Sequence, residues 1–144
     1  MSRNKDQTAS ALLARMAPVL DPRDWVYTHL PNGTALPADV EALMTCREDE
    51  GLTLVVTPET AARLDLATSF PCRCITLTVQ SDLGAVGFIA AIATELTRHG
   101  ISCNVVAGFH HDHLLVPQDR AAEAMDVLQA LSHSNSIDAV TRRP

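Results

Sequence analysis

Hydrophobic and polar positions alternate along this chain in a way that changes period several times. Leu12, Leu13 and Met16 lie three and four apart, which predicts a short amphipathic helix over residues 8–18, stopped by Pro18 and Pro22. Residues 25–30 then alternate as a strand, with Val26, Thr28 and Leu30 on one face and Trp25, Tyr27 and His29 on the other. Both faces are bulky, so the strand is expected to be covered on both sides. Pro31-Asn32-Gly33 marks a turn, and residues 34–43 have room for one helical turn at most. Two short apolar segments, 44–47 and 52–56, flank Glu48-Asp49-Glu50-Gly51 and read as a hairpin with its acids in water. Thr57 as N-cap and Pro58 at the first helical position predict a helix over 58–66. Residues 69–71 read as the junction between two halves.

The most regular stretch follows. Ile75, Leu77 and Val79 point to one face of a strand, and Thr76, Thr78 and Gln80 to the other. Ser81-Asp82 is expected to cap a long helix over 83–99, whose Ala85, Ile89, Ile92 and Leu96 keep the helical repeat. Gly84 and Gly87 weaken its first turns, and Gly100 suits the C-terminal stop. A strand over 102–107, a turn at Gly108-Phe109-His110 and a returning strand over 111–116 form a second hairpin. Pro117 opens a last helix with Ala121, Ala124, Met125, Leu128 and Leu131 inward, and residues 137–140 read as a short final strand. From Arg73 onward the order is β-α-β-β-α-β. This is α+β, ferredoxin-like: an antiparallel four-stranded sheet with helices on one face.

A faint repeat supports a two-part chain. Residues 54–62, LVVTPETAA, echo residues 114–122, LLVPQDRAA. Each is a strand leading into a proline-started helix after a polar hairpin. The first copy is incomplete, because too few residues separate Leu30 from Met44 to hold a first helix.

Composition narrows the function classes. The chain has 144 residues and a formal net charge of -6, with no Lys/Arg run beyond Arg142-Arg143, which argues against a nucleic-acid partner. No apolar run approaches the roughly 20 residues needed to span a bilayer, so no membrane partner is expected. The first ten residues are polar and lack a signal-peptide core, giving a cytoplasmic expectation. Cys46, Cys72, Cys74 and Cys103 form no C-x-x-C pair and read as free thiols, with Cys103 a core residue rather than a nucleophile.

Candidate chemistry gathers at two polar joints. In an antiparallel ferredoxin-like sheet the first strand ends at the edge where the second ends and the third begins. Residues 81–84 are therefore expected beside residues 108–111. A helix N-terminus there suits a carboxylate, Asp82 can either accept from an ammonium group or serve as a cap, and glycine at 84 and 87 permits close approach of ligand or of a neighbouring strand. The run His110-His111-Asp112-His113 opens a metal reading. His111 and His113 share one face of a strand and His110 and Asp112 the other, so two ligands per face fall short of a closed site. A metal would need partners from a second chain or from residues 48–50, while Cys72 and Cys74 are expected at the opposite end of the sheet. Trp25 reads as core or interface.

Residues 82–108, DLGAVGFIAAIATELTRHGISCNVVAG, resemble ACT domains, small regulatory modules that bind amino acids and similar metabolites. The likeness lies in a strand, a Ser/Asp-x-Gly-Ala/Val-Gly turn, an Ala-rich helix ending in HGIS, and a strand starting at Asn104. With EDEGLTLVV and SCNVVAGFHHDHLLVP added, the chain looks like small bacterial proteins with two ACT-like halves, similar in arrangement to tandem-ACT arginine sensors. The resemblance covers residues 24–131. It implies an incomplete ACT-like half with the N-terminal helix over 1–69 and an ACT domain over 70–144. It further implies a binding module rather than an enzyme, with no cofactor and with an amino-acid ligand held between two ACT-like units. Carried onto this chain, that places Ser81, Asp82, Leu83, Gly84, Ala85 and Val86 on the ligand loop, Asn104 and Val105 on the neighbouring strand, and His110 and His111 on the adjoining hairpin. A homodimer is expected from side-by-side pairing of such sheets. Two alternatives stay open: a metal-binding protein or enzyme using residues 110–113, and an interaction module with no ligand.

Overall fold

The computed structural model describes residues 7–141. In chain order the elements are α1 (Ala9–Arg15), β1 (Pro18–Pro31), β2 (Met44–Glu48), β3 (Gly51–Val56), α2 (Pro58–Arg63), β4 (Thr68–Leu77), α3 (Phe88–Arg98), β5 (Asn104–Ala107), β6 (Asp112–Pro117), a 3-10 turn (Gln118–Arg120) and α4 (Ala121–Thr141). The six strands form one sheet in the order β2-β3-β1-β4-β6-β5, and every pairing is antiparallel. No helix among the described residues is long and apolar enough to cross a membrane.

The two long strands at the centre belong to both halves. β1, β2 and β3 make a four-stranded set when β4 lies beside β1. β4, β5 and β6 make another when β1 lies beside β4. This explains the largest departure from the sequence reading. Residues 137–140 are helical, as the last part of α4, and form no strand. The seat beside β4 that a final strand would take is filled by Pro18, Val19 and Leu20 of β1, which pair with Leu77, Thr76 and Ile75. β1 accordingly starts at Pro18 and not at Trp25. Its prolines are tolerated because Pro18 opens the strand and Pro22 falls in a bulge. There, β1 advances from Leu20 to Asp24 while β4 moves only from Ile75 to Arg73. The expected junction at residues 69–71 lies inside the continuous strand β4.

Strand registry sorts the side chains. Ile75, Leu77, Leu114 and Val116 face α1, α3 and α4, where they join Leu12, Leu13, Met16, Phe88, Ile92, Leu96, Ala124 and Leu128 in one buried cluster. Val26, Leu30, Leu54 and Val56 lie on the same side further along and pack with Ala61 of α2. Fully burying each large side chain contributes roughly 1.5–3 kcal/mol. The opposite face carries a third cluster, Trp25, Val55, Cys72, Cys74 and Leu115. Trp25 is covered by the Arg23 guanidinium, which stacks 4.6 Å from its ring centroid, and Arg23 is itself fixed to Asp21 at 2.9 Å. The sequence echo is a structural equivalence: Leu54 and Val56 of β3 match Leu114 and Val116 of β6, and Ala61 and Ala121 are both buried one turn later.

Helix ends follow their caps. The Thr8 hydroxyl accepts from the Ala11 N–H, and the Thr57 hydroxyl accepts from the Thr60 N–H ahead of Pro58. Gly100, at φ +65°, ends α3 as expected, with the Ile101 N–H bonded back to the Leu96 carbonyl at 3.0 Å. The start of α3 differs from expectation: it begins at Phe88, not at residue 83, and neither Ser81 nor Asp82 caps it. Asp82 Oδ1 instead accepts from the Gly84 N–H at 2.7 Å, and the Ala85 N–H donates to the Asp82 carbonyl at 2.8 Å, closing a local turn. Gly87 then takes φ +91°, which no helix can continue through.

Candidate functional site

Where β4 ends, the chain enters the 81–87 loop against the tip of the β5–β6 hairpin, as the topological argument requires. The Ser81 hydroxyl donates to Asp112 Oδ2 at 2.8 Å, and both residues are buried, at 8% and 7% exposure. His111 Nδ1 lies 3.3 Å from the Val79 carbonyl and adds a second tie. These contacts hold the loop in place, because a buried carboxylate that loses its donor carries the full cost of its desolvation.

Three clefts surround the loop. One, of about 180 Å³, lies between Ser81–Leu83, the first turn of α3, Ala107 and Asp112. A second, of about 290 Å³, separates the loop at Asp82 and Gly84–Val86 from Gln7–Ala9. A third, of about 320 Å³, runs between Gln7, Gln80–Leu83 and Phe109. α3 enters with no side-chain cap, so its first-turn N–H groups and the positive end of its dipole face this region. Leu83, Val86 and Phe109 stand 68%, 72% and 81% exposed around the clefts. A larger groove of about 580 Å³, lined by Phe70, Pro71 and Pro117–Asp119, lies at the other end of the sheet, away from these joints.

The loop residues expected from the sequence therefore come together: Ser81, Asp82, Leu83, Gly84, Ala85 and Val86 all border one or more clefts. His111 is tied to Val79, just after β4, and exposed His110 packs edge-on against Phe109, ring centroids 4.9 Å apart, at the hairpin tip. Asn104 and Val105 are not brought to the loop. They pair with Leu115 and Leu114 towards the far end of β5, and the member of that strand lining a cleft is Ala107. Asp112 and Gln7 are among the residues outside the expected set that stand at the site. Asp112 was legible only as a metal ligand, although its place opposite Leu77 in the sheet follows from hairpin registry. Gln7 reaches the loop from the N-terminal segment, and no local pattern announces that contact.

The histidines do not converge. His113 Nδ1 lies 2.9 Å from Thr76 Oγ1, and burial together with neighbouring His111 pushes its pKa below the usual value. Among the described residues no group of three or more His, Cys, Asp or Glu is arranged to hold a metal ion. Cys72 and Cys74 lie opposite Pro117 and Leu115, at the end of β6 away from the hairpin. Burial raises the thiols of Cys72, Cys74 and Cys103 to about 11, which keeps them protonated and poorly nucleophilic.

The first half repeats this layout without its buried pair. Its hairpin tip meets the end of β1, with Pro31 opposite Gly51 and Asn32 Nδ2 donating to the Asp49 carbonyl at 2.7 Å. Glu48, Asp49 and Glu50 are exposed there.

Two family models for the ACT domain match the chain, over residues 7–73 and 69–130, and the chain belongs to the ACT-domain family. A solved structure from Vibrio cholerae, described as a protein of unknown function and possible transport protein, is 41% identical. It superposes with a TM-score of 0.77, over 85% of this chain and 94% of that one. A protein from Agrobacterium tumefaciens is 23% identical, with a TM-score of 0.65 over 76% of this chain and 84% of its own. The regulatory subunit of aspartate kinase from Thermus thermophilus is 8% identical and shares the fold, with a TM-score of 0.59 over 80% of this chain and 97% of its own. No curated protein matches the chain.

Proposed function

We propose that this protein is a regulatory module that binds an amino acid in the clefts around residues 80–88, and that binding changes its association with a second copy or a partner. The observation that carries this reading is the buried Ser81–Asp112 hydrogen bond, which joins loop to hairpin and presents the loop backbone to the clefts. A free amino acid carries a carboxylate that needs N–H donors and an ammonium group that needs oxygen acceptors. The loop and the uncapped start of α3 supply the first, and the loop carbonyls and the Asp82 carboxylate supply the second. Leu83, Val86 and Phe109 offer apolar surface that a ligand side chain or an adjoining unit would cover. Binding then favours whichever assembly completes the site, by its differential affinity for that state.

Calorimetry of the full chain against each of the twenty amino acids tests this. Heat and a rise in melting temperature are expected for one or a few of them. Absence of both for all twenty contradicts the reading. The metal alternative gains no support from the histidine positions, since His111 and His113 are anchored on different partners.

A further inference from the structure

Gln7, one residue ahead of the Thr8 cap, bonds to the loop through its side chain. Its Oε1 accepts from the Asp82 N–H at 2.9 Å, and its Nε2 donates to the Gln80 carbonyl at 3.4 Å. The Ser81 hydroxyl, between these two backbone groups, is committed to Asp112. A carboxamide thus reads the loop edge-on, with one acceptor and one donor. The two ends of a free amino acid present the same complement: a carboxylate oxygen for the Asp82 N–H and an ammonium group for the Gln80 carbonyl. Gln7 also borders both the 290 Å³ and the 320 Å³ cleft, so it stands between the spaces a ligand would enter.

We propose that the Gln7 carboxamide is an internal competitor for the ligand, occupying the Asp82 N–H and the Gln80 carbonyl until an amino acid displaces it. The inference rests on the amino-acid reading above and names the backbone atoms that recognise the ligand. Release of Gln7 does not require α1 to move. Leu12, Leu13 and Met16 are buried in the main cluster, and the hydroxyls of Ser132 and Ser136 both donate to the Ala14 carbonyl, at 3.3 and 3.1 Å. Rotation of the Gln7 side chain alone breaks both bonds and leaves the Thr8 cap of that helix in place. The strap therefore sets affinity without being part of the folded core.

The test uses the full chain and two variants, Gln7→Ala and Gln7→Glu, the latter keeping the acceptor and losing the donor. The first readout is amide hydrogen exchange at Asp82, which needs no ligand. Exchange is expected to speed up in Gln7→Ala. Unchanged exchange overturns the strap. The second is calorimetry with the same panel of twenty amino acids. Gln7→Ala is expected to bind about tenfold more tightly than the unaltered chain, the scale set by one to two hydrogen bonds. Gln7→Glu is expected to fall between them. An amino acid that binds all three proteins equally, or binds Gln7→Ala more weakly, overturns the competitor while leaving the amino-acid reading standing. No binding by any of the three overturns that reading and the competitor with it.

Discussion

Ser81 and Asp112, 31 positions apart in sequence, meet across the mouth of a cleft, with the serine hydroxyl 2.8 Å from Asp112 Oδ2. One residue lies in the loop that follows β4, and the other opens β6. The bond is the fastening between the loop and the hairpin, and its chemistry makes it asymmetric. Ser81→Ala strands a buried carboxylate and is expected to cost about 1–3 kcal/mol. Asp112→Asn keeps an acceptor oxygen for the hydroxyl and removes the buried charge, so its cost is expected to be smaller. Urea unfolding of the two variants checks the order. Equal stability of Ser81→Ala and the unaltered chain would show that the pair fastens nothing.

His113 gives the protein a pH-dependent stability of definite sign. Burial and the nearby His111 hold its pKa below 6.5 in the folded chain, while Asp112 pulls weakly the other way. The unfolded chain therefore binds more protons at acid pH. Stability is complete above about 6.5 and declines as pH falls through the depressed folded value. His113→Gln, which retains a polar partner for Thr76, is expected to flatten this part of the stability profile. Denaturant midpoints between pH 7.5 and 5 measure it, and an unchanged slope in the variant would refute the assignment.

The cysteines are expected to differ sharply in reactivity. Cys46 is exposed on the edge strand β2, while Cys72 and Cys74 are buried and raised to about 11. Brief alkylation of the native protein at neutral pH, read by peptide mass spectrometry, is expected to modify Cys46 first and to leave Cys72 and Cys74 intact until unfolding. Early modification of either buried thiol would mean that the helix-free face of the sheet opens readily.

Much of the second domain was legible because its first strand alternates. Ile75 and Leu77 against Thr76 and Thr78 assign its two faces, whereas Leu114-Leu115-Val116 is apolar throughout and takes its facing from registry with β4. The β-α-β-β order alone places Ser81 beside the hairpin. The shared role of β1 was hidden for a physical reason. Backbone pairing along both edges leaves no mark on side-chain alternation, and the bulge between Leu20 and Asp24 interrupts the alternation this strand has. The supposed strand at 137–140 failed for the same reason, since Pro18–Leu20 already occupy its place. α3 was drawn too long because the periodic apolar residues begin at Ala85, whereas the backbone at Gly87 sits at φ +91° and starts the helix anew. Asp112 was masked by the histidines around it, whose residue types suggest metal and whose side chains point to separate partners. Gln7 lies 75 positions from Asp82, a contact that only packing of α1 against the second domain creates.

The central claim is that an amino acid docks on the loop between β4 and α3. A titration of isotope-labelled protein with the twenty amino acids, followed amide by amide in NMR spectra, tests it most directly. The account predicts saturable shifts from one or a few of them, concentrated at residues 80–88 and 107–112. Saturable shifts confined to other parts of the sheet, or none with any amino acid, would contradict it.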